Sequence, residues 1–265
     1  MRSQVELHQD GAVATLTLSR AAQRNTLTRD LIVEVTQACR AYRDDESVRV
    51  VVFQADGTDF SLGVDLTDPA MLETARAPIG RRRRLLQIGP DLVRAIQDIP
   101  QTTIVAMHGY CLGGGGCIAL ACDLRVVASD LRFGMPEALR GMTMTWRTVP
   151  LMVAHFGPAR TKELLMTRCL LDAQRAAAWG LANRVVDGGG KEAQAEARRW
   201  AHELVGEVPP ITASMIKQTV NAVANAHTAM VHMDTDQYIL SQQTEDFEEA
   251  VRAFLEKRLP QFQGR

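Results

Sequence analysis

A chain of 265 residues is long enough for one substantial core with a small appendage. Its 30 Lys and Arg stand against 31 Asp and Glu, a formal net charge of -1, so neither nucleic acid nor an anionic membrane is indicated as its main partner. No apolar run approaches the length that crosses a bilayer, and the opening Arg2-Ser3-Gln4 reads as neither a signal nor a transit peptide.

Alternation of Val13, Thr15 and Thr17 with Ala14, Leu16 and Leu18 predicts an antiparallel pair turning near Asp10-Gly11. Thr28 suits the cap of a helix running to about Arg43, with Leu31, Val35, Ala38 and Tyr42 as its apolar stripe. The run Val48 to Phe53 predicts a strand buried on both faces. A loop over Gly57 to Gly63 leads into a polar helical region. The four arginines Arg81 to Arg84 point in every direction around a helix, which reads as a solvated face, with phosphate contact as the alternative. Leu85 to Ile99 predicts an amphipathic helix stopped by Pro100.

The most informative segment follows. Ile104 to Met107 reads as a strand, Gly113 to Gly116 as a tight turn, and Ile118 to Ala121 as a buried helix. Four successive glycines give up backbone entropy and side-chain packing. Two needs would account for that: close packing of helix on sheet, or access of a ligand to the N–H groups at a helix N-terminus, which suit an anion or a developing oxyanion. The run lacks the spacing of a dinucleotide fingerprint and the Lys-Ser/Thr of a phosphate loop, so no nicotinamide or flavin site is implied.

Beyond it, Leu124 to Ala128 predicts a short strand. Helices are predicted from Val149, from Pro158 and over Ala173 to Trp179, with Gly180 closing the last. From about Lys191 the pattern is helical throughout, broken by Pro209-Pro210, which divides the chain into an α/β core over 1–190 and a helical region over 191–265. Cys39, Cys111, Cys117, Cys122 and Cys169 have no zinc or redox spacing and fit free thiols in a reducing cytoplasm. His227 and His232, five apart on a predicted helix, do not share a face, and no metal site is indicated.

Several segments in order resemble the enoyl-CoA hydratase/isomerase (crotonase) superfamily. They are Asn25-Thr26-Leu27, the loop Gly57 to Leu66, His108 to Gly116 with Ala121-Cys122-Asp123, Phe133-Gly134-Met135-Pro136-Glu137, Trp179 to Asn183, and Glu256 to Pro260. The resemblance implies a crotonase-like spiral of ββα units with a C-terminal helical trimerisation region, assembled as a homotrimer or dimer of trimers. It implies an acyl-CoA substrate of lipid or fatty-acid metabolism, with coenzyme A entering as part of that substrate and no separate cofactor. Mapped onto this chain, the oxyanion-hole donors are the N–H groups of Val64 and Gly114, with Leu62, Asp65 and Gly113 beside the substrate.

Where the family's hydratases use two glutamates, this chain has Cys117 at the first position and Glu137 at the second. Cys117 reads as a space-filling thiol, with an acid or nucleophile role as alternatives. Where the family often has Pro-Gly-x-Gly-Gly, the span Gly141 to Pro150 carries Met142, Met144, Trp146 and Arg147. Trp146 then reads either as an aromatic wall of the acyl pocket or as ordinary core, and Arg147 reads as an exposed or structurally paired arginine, with contact to a carboxylate on an unusual substrate as the alternative. The expectation is an isomerase that shifts the double bond of an enoyl-CoA with Glu137 as single base. A hydratase-type lyase with an altered site and a non-catalytic acyl-CoA binding protein are the alternatives.

Overall fold

The computed structural model describes residues 3–224, 231 and 233–265, and His227 and His232 lie outside the described residues. Strands β1 (Val5–Asp10) and β2 (Val13–Leu18) form the predicted antiparallel pair, with Gly11 at φ 56° making the turn. Helix α1 (Arg29–Arg43) starts where Thr28 accepts a hydrogen bond from the Leu31 N–H at 3.2 Å, and it buries the predicted stripe. Strand β3 (Val50–Ala55) begins two residues later than the apolar run, where the Arg49 and Val50 N–H groups both donate to Ala12 O.

The single helix expected over Leu85 to Ile99 is instead the end of one helix and the whole of the next. Helices α2 (Pro69–Arg76) and α3 (Ile79–Leu85) precede a break, and α4 (Ile88–Gln97) restarts the spiral. Pro90 has no N–H to donate back to Leu86, so the ladder is interrupted there.

Strand β4 (Thr102–Met107) leads through β5 (Tyr110–Leu112) into α5 (Gly114–Ala121), β6 (Leu124–Ala128) and β7 (Arg132–Gly134). Helix α6 (Thr148–Met166) is broken at Gly157, φ 72°, immediately before Pro158. After α7 (Ala173–Ala178) the chain adds β8 (Arg184–Val186) as an edge strand. The six-stranded sheet has the order β1-β2-β3-β4-β6-β8, parallel apart from β1. Strands β5 and β7 form a separate parallel pair, too short to be legible as strands.

One face of the large sheet packs Leu16, Phe53 and Val105 against α1, α4 and α5. The other packs Val52, Ile104 and Val126 against Ala193, Ala197 and Ala201 of α8 (Gly190–Glu207), whose small side chains let that helix sit close. Helices α9 (Pro210–Ala224), α10 (Asp234–Ser241) and α11 (Glu245–Leu255) follow. Lys217 anchors α9 by an ion pair with Asp123 at 2.8 Å and a hydrogen bond to Gln101 O at 3.0 Å. Among the described residues, no helix is long and apolar enough to cross a membrane.

Candidate active site

Two loops run side by side and define the site. The first, Gly57 to Asp65, pairs with the chain entering β5: the Phe60 N–H donates to His108 O, Ser61 N–H to Tyr110 O and Leu112 N–H to Ser61 O, at 2.9–3.0 Å. Asn25 is wholly buried, and its amide donates to Asp56 O at 2.7 Å and Asp59 O at 2.9 Å. The Ser61 hydroxyl donates to Asn25 O at 2.7 Å and accepts from the Gly63 N–H at 3.1 Å. Burial pushes the Asp59 carboxyl up, but Arg24, the Tyr110 N–H and Thr58 together hold it below its ordinary value.

This bracing leaves one N–H over. Leu27 N–H donates to Gly63 O at 2.8 Å and Asp65 N–H to Leu27 O at 2.9 Å, so both neighbours of Val64 are engaged while its own N–H has no acceptor among the described residues. Across the gap, Gly113 N–H is held by Gly134 O at 3.0 Å, and Gly114, the first residue of α5, has an N–H with no acceptor inside its helix. A Cβ built on Gly63 would stand 3.4 Å from Gly114 N, which measures how closely the loops meet. The two loops that carry the predicted donors therefore meet at Gly63 and Gly114.

Close contacts account for the glycine run. A Cβ on Gly115 would come within 2.7 Å of Ser61 Cβ, and one on Gly116 within 2.6 Å of Met135 Cε, so these two answer to packing. Gly113 answers to the site. Its φ is 49°, and a Cβ there would come within 2.7 Å of Glu137 Oε1.

Glu137 is thus placed against the turn that carries the second donor. The residue is half-buried, and its Oε2 is buried with no hydrogen-bond partner among the described residues. Burial pushes the carboxyl up to about 7, only partly opposed by a backbone N–H and by Arg140. A carboxyl poised near neutrality can both take and return a proton.

Cys117 also faces this space. Its Sγ lies 3.6 Å from Thr148 Oγ1, and Thr148 itself donates to Thr145 O at 3.0 Å, leaving its oxygen to accept from the thiol. Burial, with the neighbouring Glu137 charge, pushes the Cys117 thiol far up, so it stays protonated. A neutral, hydrogen-bonded thiol is no nucleophile at neutral pH.

The Trp146 indole fills the opposite side. A Cβ on Gly114 would come within 2.9 Å of its Cη2, and one on Gly89 within 2.0 Å of its Nε1, so α4 has a glycine where the ring lies against it. The ring is part of the core. Trp146 and Arg147 have φ values of 64° and 60°, the left-handed region that glycine ordinarily supplies. Leu62 is half-buried beside Gly63, and its N–H donates to Arg24 O at 3.3 Å. The Asp65 carboxylate is engaged within the chain by Thr26, Thr67 and Arg20.

Sequence reasoning missed Thr148 and Tyr238. The Tyr238 hydroxyl donates to Met142 Sδ at 3.3 Å, and burial together with the Glu137 charge raises its pKa. Tyr238 reaches the site from α10, about a hundred residues downstream of Glu137, and no periodicity signals such an approach. Taken together, two convergent N–H donors across from one buried carboxyl suit proton transfer next to a polarised carbonyl.

The comparisons agree with this geometry. A crotonyl-CoA hydratase of Syntrophomonas wolfei is 29% identical over 268 residues, covering 97% of this chain and 96% of that protein. A 1,2-epoxyphenylacetyl-CoA isomerase of Escherichia coli is 28% identical over 260 residues, covering 97% of each. The crystal structure of an enoyl-CoA hydratase from Mycobacterium avium subsp. paratuberculosis superposes with a TM-score of 0.85 over 98% of this chain and 99% of that one, at 24% identity, a likeness of fold. The model of the enoyl-CoA hydratase/isomerase family matches residues 8–265. With the spiral, the paired loops and the Pro-Glu carboxyl in place, the chain belongs to the enoyl-CoA hydratase/isomerase family, the crotonase superfamily.

Proposed function

We propose that this protein is an enzyme acting on an enoyl-CoA thioester, with the Val64 and Gly114 N–H groups holding the thioester oxygen and Glu137 moving the α-proton. The observation that carries the reading is the buried, unpartnered Glu137 carboxyl set against Gly113, one residue from the second donor. Charge that develops on the thioester oxygen would meet two prealigned dipoles, and the loss of one such donor in another enzyme class costs about 3–4 kcal/mol of transition-state stabilisation.

The names of relatives support hydration and dehydration as the reaction. In that reading Glu137 takes a proton from water and delivers it to the α-carbon. A double-bond shift is the second reading, favoured by the site itself. With Cys117 held neutral against Thr148, Glu137 is the one carboxyl we assign to the reacting atoms, and one base can carry one proton from the α- to the γ-carbon. Proton NMR of the products from 2-enoyl and 3-enoyl thioesters separates the two. A 3-hydroxyacyl product supports the hydratase, a 2-enoyl product formed from a 3-enoyl substrate supports the isomerase, and tight binding with neither product contradicts the enzyme reading.

We further propose self-assembly as a trimer or dimer of trimers through the C-terminal helices. Ile211, Met215, Val220 and Val223 of α9 are all more than half exposed, apolar surface around the helix that a second copy of this chain would cover. Sedimentation equilibrium tests it: a monomer at micromolar concentration would contradict it.

A further inference from the structure

Of the Arg81 to Arg84 run, Arg81, Arg83 and Arg84 are exposed, as a solvated face requires, and Arg82 is half-buried. Arg81 pairs with Glu73 on the surface at 2.8 Å, and Arg82 turns inward to the Gln242 amide beside Tyr238. Arg83 and Arg84 line a cavity of about 490 Å³ between α3, α4 and the start of α10. Arg94 from α4 and Arg147 from the Trp146 turn face the same space, with Gln87 and Thr235 at its wall.

Charge in this cavity is compensated only in part. Arg83 is paired with Asp236 at 2.6 Å, and Asp234 accepts the Arg147 N–H at 3.1 Å. Among the described residues, Arg84, Arg94 and Arg147 make no side-chain ion pair within 4.0 Å. Burial and the Arg94 charge both press on Arg147, and Asp234 and Asp98 offset this only in part. Arg83, Arg84 and Arg94 are exposed around this open cleft and Arg147 is half-buried; like charges gathered around one cleft raise the local concentration of something of opposite sign. Guanidinium forks match the planar or tetrahedral oxygens of carboxylate and phosphate.

The cavity also has a defined relation to the catalytic groups. Trp146 spans from Gly114 to Gly89, Arg147 is the next residue, and Pro90 of the lining is the residue after Gly89. The Trp146 turn therefore divides the oxyanion cradle from the arginine cavity.

We propose that this cavity is a second ligand site, which takes an anion of the phosphate or carboxylate class through Arg84, Arg94 and Arg147. The anion has two sources: a free ion from solution, or the charged terminus of an acyl group that reaches past Trp146. The second source rests on the thioester reading above; the first does not.

Isothermal titration of the full-length protein with inorganic phosphate, and separately with glutarate, tests the site without any thioester or turnover. The expected result is saturable, submillimolar binding of at least one of them, weakened about tenfold or more by Arg94→Gln and by Arg147→Gln. Arg147→Lys keeps the charge and is expected to recover part of the affinity, which separates loss of the site from loss of the fold. Binding assays with enoyl-CoA thioesters of equal length, one ending in a carboxylate and one uncharged, then distinguish the sources. Preference for the charged substrate that Arg147→Gln abolishes assigns the site to the acyl terminus; phosphate or glutarate binding with no such preference assigns it to a free anion. Absence of saturable binding by phosphate, glutarate and the charged thioester alike, or binding that neither glutamine variant weakens, would overturn the proposal.

Discussion

The two sides of the catalytic space are built from different materials. On the side of the proposed oxyanion donors, the side chains of Asn25, Ser61 and Asp59 brace one loop, and the main-chain pairing of β5 with β7 fixes the other. The donors are N–H groups, so a valine at position 64 is harmless and the glycines answer for space. The facing side, from Glu137 to Thr148 with α10 above it, is made of side chains: Glu137, Met142, Trp146 and Tyr238. A backbone cradle tolerates sequence change so long as its bracing survives. A side-chain wall records each change directly, and this is where the chain departs from its family's pattern.

The comparison can be broken most visibly at Trp146. Its ring is 9% exposed and fills the space that Gly89, Gly114 and Leu27 leave, so Trp146→Ala is expected to destabilise the fold by about 3–5 kcal/mol, read from urea denaturation. A loss below about 1 kcal/mol would mean that the ring is not part of the core.

Glu137 gives the next effect, and its sign is informative. The folded chain raises this carboxyl from 4.5 to about 7, so it binds the proton more tightly than the unfolded chain does. That stabilisation is fully present below pH about 4.5 and is lost as pH rises through about 7. Glu137→Gln, which cannot ionise, is therefore expected to be more stable than the native protein at pH 8, by as much as about 3 kcal/mol. Urea midpoints measured from pH 4.5 to 8 check it, and equal pH dependence in both proteins would refute the buried carboxyl.

On the opposite side, Gly113→Ala places a methyl group against Glu137 Oε1 in a backbone conformation that disfavours it. A displacement of about 1 Å at a reacting group costs on the order of 10²-fold in rate, and kcat of the variant is expected to fall by that much. The smallest effect belongs to Cys117. Cys117→Ala removes only a thiol bonded to Thr148, and turnover is expected to stay within about threefold, whereas a loss near 10²-fold, the lower end for a general acid or base, would give the thiol a chemical role.

Legibility in the sequence follows the same division. The spiral core announced itself through alternation in β2, the Thr28 cap and the apolar runs of β3, β4 and β6, because local pattern and tertiary burial agree there. The two loops that meet at Gly63 and Gly114 were legible because glycine and asparagine mark positions where only backbone geometry serves. The break between α3 and α4 was not, since Pro90 interrupts a periodicity that otherwise runs on. The short strands β5, β7 and β8 have three residues each, too few for a period. Tyr238 was invisible for a different reason: only the folding of α10 back over this segment brings its hydroxyl to Met142.

The most direct test of the account is exchange of the α-protons of a saturated thioester, butyryl-CoA, in heavy water, followed by NMR with native protein and Glu137→Gln. The account predicts α-deuteration by the native protein and none by the variant, with both binding the thioester alike. Exchange that persists in Glu137→Gln would contradict it, because the proton would then be moved by a group other than the carboxyl set beside the oxyanion donors.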